Sequence, residues 1–153
     1  MPALAGCGGG GAKPPATILG SGYTFVAPGG WTVSRTVSSV SAEHGDGAVS
    51  VATYRLRQSY RPALRREAAK ELDRVAAALA VQLRGKVVVH RVVPADGMRA
   101  RRYDISFARK GTKLVERITF VLSGRREYEL LCRFKEGKDE PACGQLERSF
   151  RPG

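Results

Sequence analysis

The chain has 153 residues, with 26 lysines and arginines against 14 aspartates and glutamates, and its net charge is +12. This length suits one compact domain, and a 42% apolar content is enough to form a core. No apolar run reaches the roughly 18 residues of a membrane-spanning helix. Two histidines and three cysteines are too few for most metal clusters, so we expect no metal and no cofactor.

The chain begins with a short pattern, Leu4-Ala5-Gly6-Cys7, that looks like a bacterial lipobox. Small residues let the signal peptidase hold an extended backbone, and the Cys7 thiol then carries the lipid. A complete secretory signal also has charged and apolar segments, and six residues before Cys7 are too few to hold them. We interpret residues 1–7 as the remnant of a lipoprotein signal and residues 8–20 as a flexible Gly/Pro tether. The alternative is a glycine-rich leader with an incidental cysteine.

The next part of the chain predicts strands. Tyr23–Ala27 alternates apolar and polar residues, Pro28-Gly29-Gly30 turns, and Trp31–Val37 alternates again, which together indicate a β-hairpin. Ser38–Gly47 is polar and is predicted to be a loop. Ala48–Leu56 is predicted to form a third strand.

A long helix is predicted between Pro62 and Gly85, since proline suits a first helical turn and glycine suits the position past the last one. One apolar stripe recurs every three or four residues: Leu64, Ala68, Leu72, Val75, Leu79 and Leu83. The opposite face carries Arg65, Arg66, Lys70 and Arg74. The stripe predicts that this helix covers a sheet.

Four more strands and a final helix complete the chain. The strands are predicted at Lys86–Val93, Met98–Arg109, Lys113–Leu122 and Arg126–Lys135, and the helix at Pro141–Phe150. The links between the later strands are short enough for hairpins, so neighbouring strands are antiparallel. We therefore predict an α+β fold, an antiparallel sheet packed by one long helix and a short C-terminal helix.

Cys132 and Cys143 are predicted to point into one core. Cys132 alternates in phase with Leu130 on a strand, and Cys143 shares a helical stripe with Leu146. In an exported protein we expect these two cysteines to form a disulfide. Two buried thiols in a reducing cytosol, or a redox-active pair, are the alternatives.

Several loose motifs, in this order, resemble PsbP-like domains, including the LpqN-type lipoproteins of actinobacteria. They are Tyr23-x-Phe25-x-x-Pro28-x-x-Trp31, Gly97-x-x-Ala100-x-x-Tyr103, Tyr128-x-Leu130 and Leu146-x-x-Ser149-Phe150-Arg151. The resemblance extends over nearly all of residues 23–151, so residues 21–153 are interpreted as a PsbP-like domain. It implies a non-enzymatic extracytoplasmic module that binds or helps to assemble partners at a membrane.

The charge indicates an anionic partner. Basic pairs recur along the chain, and we take them as candidate contacts: Arg65-Arg66, Arg101-Arg102, Arg109-Lys110 and Arg125-Arg126. The last two pairs fall at hairpin tips or strand ends and are predicted to form one basic rim. Phospholipid headgroups and acidic wall polymers are the nearest anions for a lipid-anchored domain. The alternative is an arginine-rich face that is only solvated.

Catalytic patterns are weak in this sequence. His44 lies in a predicted loop and His90 on a valine-rich strand, and neither has a carboxylate at a spacing that indicates a dyad. We therefore predict no catalytic residues and a lipid-anchored, extracytoplasmic module on a bacterial cell membrane that docks to a protein or an anionic envelope component. A cytosolic basic nucleic-acid-binding domain is the first alternative. A small enzyme using the cleft between helix and sheet is the second.

Overall fold

The computed structural model describes residues 13–138 and 140–153. Within these residues the chain forms ten strands and two α-helices, and a 3-10 turn at Pro62–Leu64 precedes the first helix. The strands are β1 (Ala16–Gly20), β2 (Tyr23–Ala27), β3 (Thr32–Arg35), β4 (Ser39–His44), β5 (Gly47–Arg55), β6 (Lys86–Ala95), β7 (Met98–Arg109), β8 (Thr112–Ser123), β9 (Arg126–Lys135) and β10 (Arg151–Pro152). The helices are α1 (Arg65–Leu83) and α2 (Pro141–Ser149).

The strands form two antiparallel sheets. The larger sheet has the order β3-β4-β5-β9-β8-β7-β6, and the smaller has the order β1-β2-β10. Helix α1 packs on the larger sheet against β6 and β7, whereas α2 packs between β9 and β2. The predicted fold class, an antiparallel sheet packed by one long helix and a short C-terminal helix, is confirmed.

Each helix covers its own apolar core, because successive residues of a strand point to opposite faces of the sheet. The α1 core joins the helix to buried side chains of β7 and β8, among them Leu72, Ala76, Tyr103, Ile105 and Phe120. The α2 core joins the second helix to β2, β5 and β9, and includes Phe25, Val51, Leu130, Leu146 and Phe150. The larger sheet is therefore covered on both faces.

The limits of α1 agree with the sequence prediction. Arg84 takes a left-handed conformation past its end, and Gly85 follows where a side chain would not fit. A Cβ added at Gly85 would lie 2.3 Å from the Ser106 carbonyl oxygen. One member of the predicted apolar stripe differs, since Val75 is 40% exposed. No described helix has the length and apolar content needed to cross a membrane.

The predicted loop over residues 38–47 is wrong in most of its length. Strand β4 occupies Ser39–His44 and pairs with β5, and only a tight turn at Gly45 and Asp46 separates them. Val40 and Ala42 are the buried side chains of this strand. The flanking serines and the glutamate hide this short alternation in the sequence.

The predicted hairpin between Tyr23–Ala27 and Trp31–Val37 is also wrong. Both segments contain strands, but β2 pairs with β1 and β10 in the smaller sheet, whereas β3 pairs with β4 in the larger one. Pro28–Gly30 therefore carries the chain from one sheet to the other. The alternation of apolar and polar residues predicts a strand but does not determine which strand it pairs with.

The flexible tether predicted over residues 8–20 does not extend to its last five residues. Ala16–Gly20 forms β1, which pairs with β2 along its whole length. Ile18 is 5% exposed and joins the α2 core, which fixes the strand. The predicted lipobox, Cys7 and the tether up to residue 12 lie outside the described residues.

The predicted disulfide between Cys132 and Cys143 is present and ties β9 to α2, with 5.4 Å between the two Cα atoms. Both cysteines are buried in the α2 core. Strand alternation places Cys132, and helical spacing places Cys143, so the two sulfurs meet as the sequence predicts.

Candidate anion-binding cleft

The basic residues predicted to meet an anionic partner do not share one surface. The β7–β8 turn carries Arg109 and Lys110, and the β8–β9 turn carries Arg125 and Arg126. These turns lie at opposite ends of strands of twelve residues, about 36 Å apart at the usual rise per residue. The prediction of a single basic rim is therefore wrong, because successive hairpins of a meander alternate between the two ends of a sheet.

Arg102 is not available to an outside anion. Its side chain is 8% exposed, and its guanidinium donates hydrogen bonds to both carboxylate oxygens of Glu147 in α2. Arg102 points to the α2 side of β7, whereas its neighbour Arg101 points to the α1 side. The prediction that Arg102 binds a partner is therefore wrong.

Three of the predicted residues do come together. Arg65 and Arg66 at the beginning of α1 meet Arg101 of β7, and with Arg99 they line an open cleft of about 530 Å³. We call this set of four arginines the basic cleft. Sequence reasoning missed Arg99, although alternation along β7 places it on the same face as Arg101.

Three of the four arginines in the basic cleft form no ion pair within the described residues, and one carboxylate, that of Glu67, also lines the cleft. The side chains of Arg65, Arg66 and Arg99 have no hydrogen-bond or ion-pair partner within residues 13–138 and 140–153. Helix α1 begins beside them, and the positive end of its dipole adds to the same potential. The basic cleft therefore attracts anions.

The fourth cation, Arg101, is held by a network behind the cleft. Its guanidinium donates to the Asp73 carboxylate at 2.9 Å and to the Tyr103 hydroxyl at 2.7 Å, and that hydroxyl donates to the same carboxylate. The hydrogen bond from Tyr103 lowers the pKa of Asp73, and burial raises the pKa of Tyr103 to about 12. At neutral pH the carboxylate is ionised and the phenol protonated, so the network keeps Arg101 fixed and charged.

An apolar pocket adjoins the basic cleft. It has a volume of about 300 Å³. Its lining includes Leu56, Leu64, Leu72 and Leu122, and Glu67, Glu71 and Glu127 also line it. A smaller cavity of about 60 Å³ adjoins both, because it shares Arg65, Arg99 and Arg101 with the basic cleft and Tyr60 and Leu72 with the apolar pocket. The Tyr60 amide donates to the Gly124 carbonyl at 2.7 Å, which fastens this wall to the β8–β9 turn. A partner seated on the arginines can therefore also bury an apolar side chain.

Two carboxylates on β9 form a feature that sequence reasoning missed. Glu127 and Glu129 lie two residues apart, so they share the face of the larger sheet on which α1 packs. Burial raises the pKa of Glu129 to about 7, and its hydrogen bond with Glu127 acts in the same direction. The pKa of Tyr54 on β5 is also raised, mainly by burial and to a smaller extent by the charges of the two glutamates. The pair therefore retains a proton up to about neutral pH.

The histidines pack against aromatic rings. His44 stacks on Trp31, and His90 stacks on Tyr103. In the described part of the chain, no group of three or more histidine, cysteine, aspartate and glutamate side chains is placed to hold a metal ion. The site that stands out in these residues is the basic cleft.

Comparison with solved structures identifies the fold. The chain is similar to the solution structure of cyanobacterial PsbP (CyanoP) from Synechocystis sp. PCC 6803, with a TM-score of 0.71 and 13% sequence identity, over 98% of this chain and 99% of that chain. It is also similar to a crystal structure from Bacteroides thetaiotaomicron VPI-5482, with a TM-score of 0.63 and 12% identity, over 86% of this chain and 45% of that chain. This chain therefore spans less than half of the Bacteroides chain.

These similarities show a PsbP-like fold, and at such low identity they show the fold alone. No protein-family model matches the chain, and no curated protein sequence matches it. The resemblance to LpqN-type lipoproteins remains a prediction.

Proposed function

We propose that this domain is a non-enzymatic docking module, anchored through a lipid on Cys7 to the outer side of a bacterial cell membrane, and that its basic cleft receives an acidic surface of a partner protein in the envelope. The observation that carries the proposal is the convergence of four arginines, three of them unpaired within the described residues, in one cleft. The Leu4–Cys7 pattern supports the lipid anchor. The Cys132–Cys143 disulfide supports an oxidising compartment.

Electrostatics favours an acidic partner at this cleft. The chain carries a net charge of +12, which steers anions toward it from a distance. Within the part of the chain that the structure describes, Arg65, Arg66 and Arg99 have no ion pair to break before they meet a carboxylate. Complementary charges mainly raise the association rate and the specificity, and each effect weakens as salt is added.

A protein surface fits this arrangement better than a flat membrane. A lipid surface engages cations that lie in one plane, and the hairpin-tip cations Lys110 and Arg125 lie at opposite ends of the sheet. The four clustered arginines instead line a concave cleft, with an apolar pocket beside it. A protruding segment matches both features if its carboxylates meet the arginines and an uncharged apolar side chain enters the pocket, because Glu67, Glu71 and Glu127 disfavour a carboxylate there.

Charge reversal in the cleft is expected to abolish most of this binding. Arg66→Glu with Arg99→Glu lowers the affinity for poly-glutamate at least tenfold at 50 mM salt, because two attractions become repulsions. The matched control, Arg109→Glu with Lys110→Glu, makes the same change in net charge at the far turn and lowers the affinity less than threefold. Titration calorimetry of the three proteins at 50 and 300 mM salt measures both effects.

The same three proteins separate the alternatives. Equal losses in both double variants would show that net charge alone binds poly-glutamate and would overturn the cleft. Tighter binding to vesicles with one third phosphatidylglycerol than to poly-glutamate would replace the protein partner with the membrane surface. Tighter binding to a single-stranded oligonucleotide that depends on the cleft would favour the nucleic-acid alternative.

The lipid anchor has its own test. When the chain is expressed in an actinobacterial host behind a complete signal sequence, it is expected to enter the detergent phase in phase partitioning. Cys7→Ala moves it to the aqueous phase, whereas the neighbouring Gly8→Ala leaves it in the detergent phase. Wild-type protein in the aqueous phase would contradict the anchor.

A further inference from the structure

The larger sheet ends in a long strand whose outer edge is unpaired in the described part of the chain. Strand β6 has ten residues and is the last strand of that sheet, next to β7. Its residues are exposed over almost the whole length. The opposite edge strand, β3, has only four residues. A long exposed edge presents amide and carbonyl groups to which another extended chain can pair.

The side chains of β6 are apolar and basic. Val88 is 56% exposed and Val92 is 40% exposed, and Val87 and Val89 are also exposed. Lys86 and Arg91 supply positive charge, and none of the ten residues is acidic. Valine suits strand pairing, and the charge selects an acidic partner.

Pairing with β7 determines which main-chain groups of β6 face outward. Asp96 and Gly97 form a two-residue turn, so Ala95 and Met98 are a hydrogen-bonded pair. Hydrogen-bonded and non-hydrogen-bonded pairs then alternate as far as Val89, which leaves the amides of His90 and Val92 directed away from β7. A register shift between Val87 and Val89 interrupts the pairing there, so the regular part of the edge is Val89–Ala95. Pro94 also belongs to the set of residues whose main-chain groups face outward. Its missing N–H therefore costs no hydrogen bond to β7.

The outer edge of β6 is continuous with the basic cleft. Val92 lies opposite Arg101 in the sheet, and Pro94 lies opposite Arg99. Val92 also lines the small cavity beside the cleft, together with both arginines. We infer that the partner contributes an extended acidic segment that pairs with β6 as an additional strand, with its carboxylates toward Arg99 and Arg101. This inference rests on the proposed function and specifies its partner and its binding mode.

Charge argues against a second copy of this chain as the occupant. Antiparallel pairing of β6 with itself joins two strands that each carry Lys86 and Arg91 and no acidic residue. Repulsion between two net-positive chains opposes this pairing. An acidic segment instead neutralises these cations.

Two synthetic peptides test strand addition. The first is a ten-residue peptide of alternating valine and glutamate. The second is the same peptide with every internal amide N-methylated, which keeps the charge but removes the hydrogen-bond donors on both edges. We expect the first peptide to bind at least tenfold more tightly than the second. We also expect it to protect the amides of His90 and Val92 from hydrogen exchange.

Val92→Pro is the corresponding change in the protein, because it removes one outward-facing N–H of β6. Proline is tolerated at such outward-facing positions, as Pro94 two residues later shows. The substitution is expected to weaken binding of the unmethylated peptide at least fivefold while binding of the methylated peptide stays unchanged. Val92→Thr keeps the amide and the β-branched side chain and is the matched control. A circular dichroism melt of each variant confirms that it is folded.

The outcomes distinguish the inference from the proposed function. If the two peptides bind equally and Val92→Pro has no effect, while Arg66→Glu with Arg99→Glu abolishes binding, strand addition is overturned and the cleft stands. If the cleft variant binds both peptides like the wild type, the proposed function fails. If the wild type is a dimer in solution and Val92→Pro is a monomer, the occupant of β6 is a second copy and the inference is overturned.

Discussion

Reduction of the Cys132–Cys143 disulfide is expected to lower the free energy of unfolding by about 3 kcal/mol. The bridge joins residues with a sequence separation of 11. In the chain-entropy model, breaking it increases the conformational entropy of the unfolded chain by an amount equivalent to about 3 kcal/mol. Both sulfurs are buried, so the reduced thiols remain in the α2 core without a large change in packing. Urea denaturation with and without a phosphine reductant measures the difference.

The measurement is made on the Cys7→Ala background, because the Cys7 thiol can otherwise exchange with the bridge. The control is Cys132→Ala with Cys143→Ala on the same background, whose unfolding midpoint is not expected to respond to the reductant. A reductant effect below about 1 kcal/mol in the parent protein would show that the bridge contributes little.

Glu147→Ala is expected to lower the free energy of unfolding by about 3 to 5 kcal/mol, because it leaves a buried guanidinium without its counter-charge. The Arg102 side chain is 8% exposed and its Nε atom already lacks a hydrogen-bond partner within the described residues. Glu147 therefore provides the principal compensation for this charge. Removal of one partner costs far more than removal of both, since a buried pair gains little over apolar side chains of similar volume.

Two variants make this prediction specific. Arg148→Ala changes the next residue of α2, which is exposed, and is expected to alter stability by less than about 0.5 kcal/mol. Arg102→Met with Glu147→Leu removes the whole pair and is expected to recover most of the loss. If Glu147→Ala unfolds at the same urea concentration as the parent, the guanidinium reaches water by a small side-chain movement and is not trapped.

The two proposed contact regions place different demands on a partner. The basic cleft selects charge, and the outer edge of β6 selects an extended backbone, since main-chain pairing requires a strand. The two regions adjoin, because Val92 of β6 lies opposite Arg101 of β7 and lines a small cavity with Arg99 and Arg101. One segment can therefore contact both regions at once. The apolar pocket beyond Tyr60 adds a place for a single large apolar side chain.

Local sequence pattern was sufficient to predict the elements that are specified by their own residues and by the turns beside them. Helix α1 could be predicted because an apolar stripe, a proline at its beginning and Gly85 past its end agree. Strands β6 to β9 could be predicted because alternation and short turns make each the neighbour of the next. The disulfide followed from the two periodicities, since each cysteine falls on the inward face of its own element.

Partners distant in sequence were not predictable in the same way. Strand β2 alternates as predicted, but one of its neighbours is β10, near the other end of the chain. Its other neighbour, β1, directly precedes it within the predicted tether. Nothing in its five residues specifies either partner, because the hydrogen-bonding groups of every strand are the same. The choice depends on which apolar faces are left to cover after the larger sheet and α2 have packed.

The sequence by itself determined the fold class, the long helix, the four-strand meander and the cysteine pairing, because each depends on spacing within a segment or on two inward faces meeting. Only the tertiary structure decided which of the many cations act together. Arg101 and Arg102 are adjacent in the chain, yet the pleat turns one toward the basic cleft and the other into an internal ion pair. Charge clusters form where elements pack against one another. The sequences of α1 and β7 do not specify by themselves that Arg65 and Arg99 come together.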